Sequence, residues 1–247
     1  MPKPKQSTLD ELKTWEPSYN DFSYGRVLMI NEDCSRVIHR YAVNPEGMFS
    51  PENILFCELV YVVLSLREKF HINKQQFYDF LDNNLGTVNN VLKNRERLEN
   101  LLYPYGMGQK KIDTIMSISS KWKSLDITNK MREDVDKIHG PELRSEITRT
   151  IHGVGFKFAS LFLRMCGYED IAPPDTWGIN FCESRGYVYK RSDSGLKEKE
   201  GIAYEKILKK YAKQYDVSPA LFQATIYATW STWKKDAGVE PWILQHV

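Results

Sequence analysis

The stretch Ile151-His152-Gly153-Val154-Gly155-Phe156-Lys157 predicts two helices joined by a tight hairpin turn. Gly153 and Gly155 allow left-handed backbone and a close backbone approach at the turn. The unpaired amides at the start of the second helix then form a site for an anion. Lys157 stands in the first turn of that helix, and a lysine amine can attack an electrophilic carbon to form a Schiff base. The stretch therefore predicts an anion site beside a nucleophile.

Asp175 is the carboxylate that the chain can bring to this nucleophile. It follows Pro173-Pro174, which end any earlier element, and precedes Thr176-Trp177, so we expect it to be the N-cap of a third helix. A helix of about ten residues after Lys157 is roughly 15 Å long. The loop from Gly167 to Pro174 can span up to about 26 Å when extended. The loop can therefore return Asp175 to the start of the Lys157 helix.

These residues carry a resemblance to a known family. A hairpin of the form Gly153-Val154-Gly155-x-Lys157, a helix of small residues and an Asp after a Pro-bearing loop resemble the helix-hairpin-helix DNA glycosylase superfamily, which includes endonuclease III. The run from Gly153 to Asp175 is most similar to the archaeal-type 8-oxoguanine DNA glycosylase/AP lyases. The resemblance implies an all-α fold with two lobes. It also implies base excision followed by strand cleavage, with no required cofactor and with hairpin carbonyls that can hold a monovalent cation.

The resemblance gives the candidate residues their roles. Cutting a base from a deoxynucleotide builds positive charge on the sugar, which a nearby carboxylate stabilises. We therefore expect Asp175 to stabilise this charge and to handle protons, and Lys157 to attack C1′ of a nucleotide that has left the base stack. Gly153, Val154 and Gly155 are expected to hold the DNA backbone. The partner is then double-stranded DNA containing a damaged base, bound by a monomer.

Two further parts of the expected site are less regular. Members of the superfamily often place Gln or Asn after the first buried helix, where this chain has Leu66-Arg67-Glu68-Lys69. Arg67 and Lys69 are expected to contact DNA there, the alternative being a solvated helix end. Relatives line the base pocket from the last helix, so the candidate pocket residues are Phe222, Trp230 and Trp233. Packing in the core is the alternative for these three aromatic side chains.

Several departures keep other functions open. Thr176-Trp177 replaces a basic residue and His after the Asp, and Gln245-His246-Val247 replaces a terminal lysine. His152 stands where relatives often have Pro, and it is interpreted as a turn residue rather than a base. The alternatives are a glycosylase for damaged or mismatched pyrimidines without an iron–sulfur cluster, and a non-catalytic hairpin protein that binds DNA. An enzyme acting on RNA or nucleotides has only basic patches in its favour.

Composition sets the remaining bounds. The chain has 247 residues, of which 42% are hydrophobic and 27% charged, with a net charge of +2. This is typical of a soluble globular protein, and no stretch approaches the roughly 20 apolar residues of a membrane span. No secretory signal is present, so we expect a cytoplasmic protein, or a nuclear one in a eukaryote. The cysteines contain no Cys-x-x-Cys pair, which disfavours a zinc or iron–sulfur site: Cys34, Cys57, Cys166 and Cys182.

The resemblance implies how the chain is organised, and helical periodicity predicts its helices. Residues 1–50 are expected to form an N-terminal extension, with a short strand or irregular segment, that packs with the C-terminal lobe. The other predicted parts are a helical lobe over 51–150, the hairpin and catalytic Asp segment over 142–185, and a C-terminal helical part over 186–247. In the first hairpin helix, one face is expected to be buried and Arg144 to lie off it. The predicted helices cover 54–66, 74–81, 88–102, 109–122, 141–151, 176–186, 204–215 and a last one from 218.

Overall fold

The computed structural model describes residues 50–67, 70–134, 136–187 and 196–233. This part of the chain is helical and contains no strand, which confirms the all-α prediction. The predicted short strand near the N-terminus lies outside the described residues. The helices are α1 (Pro51–Leu64), α2 (Phe70–Asp82), α3 (Val88–Lys93), α4 (Arg95–Leu102), α5 (Gly108–Leu125), α6 (Ile127–Glu133), α7 (Gly140–Thr150), α8 (Phe156–Met165), α9 (Thr176–Glu183), α10 (Glu198–Gln214) and α11 (Pro219–Trp233).

The chain forms two compact units that divide between Cys166 and Gly167. Among the described helices, α1 to α8 belong to the first unit, and α9 to α11 belong to the second. The predicted segment 142–185 is therefore shared between the units, because the hairpin precedes the division and Asp175 follows it. In the described residues, no helix is both long and apolar enough to cross a membrane.

Helix α1 is the centre of the first unit. Ser50 caps it by accepting the amide hydrogen of Asn53, and Pro51 occupies its first turn. The helix packs against α2, α5, α6 and α8, so its side chains are buried nearly all round. Phe56, for example, meets Trp122 of α5 edge to face, with ring centroids 5.5 Å apart. The buried-helix prediction for 54–66 is confirmed, although the helix ends at Leu64.

The predicted helix over 88–102 is wrong in one respect, because Asn94 divides it into α3 and α4. The backbone of Asn94 is not helical (φ −123°, ψ 46°), and its side chain donates a hydrogen bond to the carbonyl of Asn90. Asn competes with helical hydrogen bonding in this way, which makes it a frequent helix terminator. The break lets α3 and α4 each pack on α5 and bury its own apolar side chains there.

Glu58 is a carboxyl group buried within α1. Its side chain is 6% exposed, and its Oε2 atom has no hydrogen-bond partner among the described residues. Burial disfavours the charged form, so it raises the pKa of Glu58 from 4.5 to about 7. The folded protein therefore keeps this proton up to about pH 7, whereas the unfolded chain releases it near pH 4.5.

We expect the free energy of unfolding to decrease as the pH rises across this window. Glu58 contributes stability that is fully present below pH 4.5 and is lost as the pH passes through about 7. Relative to a Glu58→Gln variant, the wild type should lose roughly 2–3 kcal/mol between pH 5 and pH 8. Urea denaturation of both proteins at the two pH values measures this difference. A difference that does not change with pH would contradict the prediction.

The second unit is built around a cluster of aromatic rings. Phe181 of α9 meets Tyr211 of α10 and Phe222 of α11 edge to face, at centroid distances of 5.1 and 5.3 Å. The guanidinium of Arg185 lies 3.6 Å from the Phe181 ring centroid. Ser218 accepts the amide hydrogen of Leu221 at the start of α11, which agrees with the predicted helix start at 218. Helix α10 begins at Glu198, earlier than the predicted residue 204.

Candidate active site

The predicted hairpin lies in the first unit. Helix α7 ends at Thr150, the turn covers residues 151–155, and α8 begins at Phe156. Gly153 has a φ of +86°, so it takes the left-handed conformation that the sequence predicted. Gly155 does not share this conformation, because it is the N-cap of α8 with extended backbone (φ −87°, ψ −179°). Its role is therefore to begin the helix rather than to make the turn.

The turn is fixed to α5. The amide of His152 donates a hydrogen bond of 2.9 Å to Ser117 Oγ, while the His152 side chain is exposed. Gly153 lies directly against the side chain of Thr114, where an added Cβ would collide. These two contacts hold the backbone of the turn against α5 at His152 and at Gly153. The setting of His152 fits the interpretation of a turn residue.

The start of α8 is open on the side of Gly155. Gly155 is exposed, and a Cβ added to it would meet no atom within 4 Å. The first amides of a helix have no partner inside the helix, and the helix dipole places partial positive charge there. Space, free amides and positive potential therefore coincide at this end of α8, which suits an anionic group such as a phosphate.

Lys157 is the second residue of α8 and is half-buried. Its Nζ atom lies 5.9 Å from the ring centroid of Phe158. Within the described residues of the first unit, this amine has no ion-pair or hydrogen-bond partner. The opposite side of α8 is buried through Phe156, Ala159 and Phe162, which fixes the helix on which Lys157 stands. The structure therefore places a lysine on a closely packed helix, one residue beyond the open helix start.

The prediction that Arg144 lies off the buried face of the first hairpin helix is wrong. This residue is only 4% exposed. Its guanidinium carbon lies 4.1 Å from the ring centroid of Phe156, and Nη1 donates a hydrogen bond of 3.2 Å to Ser160 Oγ. Phe156 and Ser160 flank Lys157 along α8. The side chain is buried because α8 supplies a second packing surface that the periodicity of α7 alone does not reveal.

Asp175 lies in the second unit and caps α9, as predicted. Its Oδ1 atom accepts the amide hydrogen of Gly178 at 2.7 Å, and its own amide donates to the carbonyl of Pro173 at 2.9 Å. A Cβ added to Gly178 would approach Leu208 Cδ1 to 3.3 Å, so the first turn of α9 is packed closely on α10. Hydrogen bonds therefore hold both the side chain and the backbone amide of Asp175 at the start of α9.

The other candidate residues have different settings. Arg67 is exposed just beyond α1, with a left-handed φ of +56°, while Lys69 lies outside the described residues. Phe222 is buried in the aromatic cluster of the second unit, which fits the core-packing alternative. Trp230 and Trp233 belong to α11, and their side chains lie outside the described part. The DNA contacts and the base-pocket role of these residues stay predictions.

The cysteines of the described part are isolated. Cys57 and Cys182 are buried, Cys166 is partly buried, and all three are free thiols. Burial raises the pKa of Cys182 to about 12, which disfavours its thiolate. Across residues 50–67, 70–134, 136–187 and 196–233, no group of three or more His, Cys, Asp or Glu side chains could hold a metal ion. Cys34 falls outside these ranges.

The two hairpin glycines provide a matched pair of substitutions. Gly153→Ala should lower the free energy of unfolding by about 1–3 kcal/mol, because it strains a left-handed residue and collides with Thr114. Gly155→Ala should leave stability within about 0.5 kcal/mol, because its backbone is extended and the space is open. Thermal or urea denaturation measures both changes. Equal destabilisation by the two alanines would contradict this account of the turn.

The all-α fold and the hairpin between α7 and α8 are typical of one class of protein, and comparisons with known proteins identify that class. The family model for 8-oxoguanine DNA glycosylase matches residues 45–217. The chain belongs to this helix-hairpin-helix family. It is 25% identical over 197 residues to the 8-oxoguanine DNA glycosylase/AP lyase of Saccharolobus solfataricus, covering 78% of this chain and 90% of that protein. The protein of the same description from Thermotoga maritima is 31% identical over 84 residues, which is 34% of this chain and 40% of that protein.

Solved structures have the same fold. The 8-oxoguanine glycosylase/lyase of Methanocaldococcus jannaschii, crystallised with a 15mer DNA containing 8-oxoguanine, superposes with a TM-score of 0.60 at 17% identity, covering 82% of this chain and 94% of that one. The 8-oxoguanine DNA glycosylase of Thermotoga maritima gives a TM-score of 0.56 at 22% identity, covering 82% and 93% of the two chains. At these identities the likeness shows the fold alone, which is the all-α fold of the helix-hairpin-helix glycosylases.

Proposed function

We propose that this protein is a bifunctional DNA glycosylase/AP lyase that removes 8-oxoguanine from double-stranded DNA. One observation carries the proposal. Lys157 stands without an ion-pair or hydrogen-bond partner in the described part of its unit, one residue beyond the open start of α8, on a hairpin fixed to α5. The hairpin and Asp175 both fall within the stretch that the family model matches. The relative from Saccharolobus solfataricus, which covers 78% of this chain, is an 8-oxoguanine DNA glycosylase/AP lyase, and this supports the same substrate here.

Binding would begin at the hairpin. The amides at the start of α8 hold a DNA phosphate, and Gly155 lets the DNA backbone approach because no side chain stands in the way. These contacts position the duplex without reading its sequence. The damaged nucleotide then leaves the stack, which exposes its C1′ atom to a side chain of the protein. The fixed position of α8 makes Lys157 the candidate for that side chain.

Base release would follow by displacement at C1′. The Lys157 nitrogen forms a bond to C1′ while the bond between C1′ and the base breaks, and the base leaves with that electron pair and takes up a proton. Positive charge develops on the sugar during this step, and the Asp175 carboxylate stabilises it. The carboxylate is suited to this task because its cap bond to Gly178 uses Oδ1 and holds the group at a fixed place.

Strand cleavage would follow from the same covalent bond. The adduct nitrogen releases a proton, and its lone pair then breaks the bond from C1′ to the ring oxygen, which takes up a proton. The product is a protonated Schiff base between Lys157 and C1′. Loss of a proton from C2′ then expels the 3′ phosphate by β-elimination, and water releases the lysine. These steps need no electron acceptor and no cofactor. A monovalent cation bound by the carbonyls of the hairpin would serve only to hold the turn and the phosphate.

The biological setting follows from the proposed substrate. A protein that acts on damaged DNA works where the genome is, in the nucleoid of a prokaryote or the nucleus of a eukaryote. One chain contains both candidate catalytic side chains, so the proposed reaction requires only a monomer.

Borohydride trapping on a panel of duplexes tests the proposal. Each duplex contains one lesion, and the panel includes 8-oxoguanine, oxidised pyrimidines, mismatched thymine and an abasic site. A covalent band with 8-oxoguanine DNA is expected, because borohydride reduces the Schiff base to a stable amine. Trapping only with a pyrimidine lesion would move the assignment to a pyrimidine glycosylase. DNA binding without trapping on any duplex would identify a non-catalytic hairpin protein.

A further inference from the structure

Glu205 of α10 is a buried carboxylate in the second unit. It is only 4% exposed, and its Oε1 atom accepts the amide hydrogen of Ala172 at 3.2 Å. Burying a carboxylate costs several kcal/mol unless hydrogen bonds compensate for the lost water. The bond to Ala172 crosses from α10 to the loop between α8 and α9, which ends at Asp175. A costly buried group thus binds the backbone of the loop that leads to a candidate catalytic residue.

This loop is attached to α11 and to α10. The carbonyl of Glu169 accepts the amide hydrogen of Ala220 at 2.9 Å, at the start of α11. The carboxylate of Asp170 pairs with Lys209 Nζ at 2.6 Å, one helical turn after Glu205. The Asp170 side chain is 70% exposed, so its ion pair contributes little to the free energy of folding. The bond from Ala172 to Glu205 is buried and lies three residues before Asp175.

Two prolines between Ala172 and Asp175 make the hydrogen bond at Ala172 important for the position of Asp175. Pro173 and Pro174 have no amide hydrogen, and the amide of Asp175 donates within the loop, to Pro173. Ala172 therefore carries the last amide before Asp175 that another element can hold. Proline fixes φ near −65° and also restricts the residue before it. The segment from Ala172 to Pro174 is buried and stiff, so a shift at Ala172 is passed on to Asp175.

We propose that Glu205 is a positioning residue that fixes the Asp175 carboxylate through the backbone of Ala172. The proposal rests on the proposed function, because it takes Asp175 to be catalytic. The first turn of α9, which follows Asp175, packs on the same helix. Its Gly178 lies against Leu208, one turn along α10 from Glu205. Helix α10 thus sets both the loop before the carboxylate and the helix after it. The role of Glu205 depends on the reach of its oxygen, rather than on its charge.

Two substitutions of Glu205 distinguish the effect of the position of its side-chain oxygen from the effect of its charge. Glu205→Gln keeps an acceptor oxygen at the same distance and removes the charge. Glu205→Asp keeps the charge and withdraws the oxygen by one methylene. We expect the Asp variant to release 8-oxoguanine about 10²-fold more slowly in single-turnover reactions, because a misplacement of about 1 Å at a reacting group has this effect. The Gln variant should stay within about threefold of wild type, and both should bind a duplex with a non-cleavable abasic analogue as tightly as wild type.

Controls and a second measurement make the test decisive. Glu169→Gln and Glu169→Asp change an exposed side chain of the same loop and should leave the rate unchanged. Hydrogen exchange of the Ala172 amide should quicken in the Glu205→Asp variant and stay slow in the Gln variant, whatever the activity of either. A Glu205→Asp variant as fast as wild type, or a Gln variant as slow as the Asp variant, overturns the proposal. A wild type that releases no base from any duplex instead overturns the proposed function, and the role of Glu205 with it.

Discussion

Replacing Lys157 by glutamine is expected to abolish the covalent band formed with borohydride on 8-oxoguanine DNA. Glutamine has a similar length but no amine that can form a Schiff base with C1′. Strand cleavage and base release in single-turnover reactions should fall by at least about 10³-fold, because the nucleophile is lost. DNA binding should remain within about threefold of wild type, since the amides at the start of α8 and the open space at Gly155 are unchanged.

The matched control for this substitution is Lys121→Gln. Lys121 is an exposed lysine of α5 in the same unit, so its replacement removes the same charge away from the hairpin. This variant should form the covalent band as wild type does. If the band persists in Lys157→Gln and disappears in another lysine variant, the nucleophile is that other residue and the role of Lys157 is limited to binding phosphate.

Replacing Asp175 by asparagine is expected to slow base release about 10²- to 10³-fold while leaving the protein folded. Asparagine caps helices as well as aspartate does, so its side-chain oxygen can still accept the amide hydrogen of Gly178. The substitution therefore removes the negative charge and keeps the helix start. The lost rate reflects the electrostatic stabilisation of the positive charge that develops on the sugar.

Asp175→Ala serves as the comparison, because it removes the cap as well as the charge. It should lower the free energy of unfolding by about 1 kcal/mol more than Asp175→Asn. Single-turnover rates and urea denaturation of both variants separate the catalytic loss from the structural one. An asparagine variant with the wild-type rate would show that the carboxylate acts only as a helix cap.

The buried charges of Arg144 and Glu205 share one feature. Each side chain makes a hydrogen bond to a group near a candidate catalytic residue. Arg144 donates to the hydroxyl of Ser160, and Glu205 accepts from the backbone amide of Ala172. Arg144 spans the first turn of α8, which carries Lys157, and Glu205 holds the loop before Asp175. Neither residue was a candidate in the sequence analysis. Helical periodicity assigns polar residues to solvent, and only a neighbouring helix shows where a polar side chain is buried instead.

The fold and the centre of the site could be predicted because their signals are local. The left-handed Gly153 and the cap at Asp175 each depend on a few consecutive residues. The buried faces of the helices likewise follow from spacing alone. The break at Asn94 was missed because the apolar spacing continues across it, so the pattern gives no sign that α3 and α4 are separate helices.

The amino-acid sequence was sufficient to predict the all-α fold, the place of the hairpin, and the lysine and aspartate at helix starts. This was possible because neighbouring residues set the backbone conformation at a turn or a cap. The packed helices were needed to show that Arg144 and Glu205 are buried, that Phe222 packs among aromatic rings, and that the turn rests on Thr114 and Ser117. Those settings depend on side chains distant in sequence, whose proximity exists only after the helices have packed.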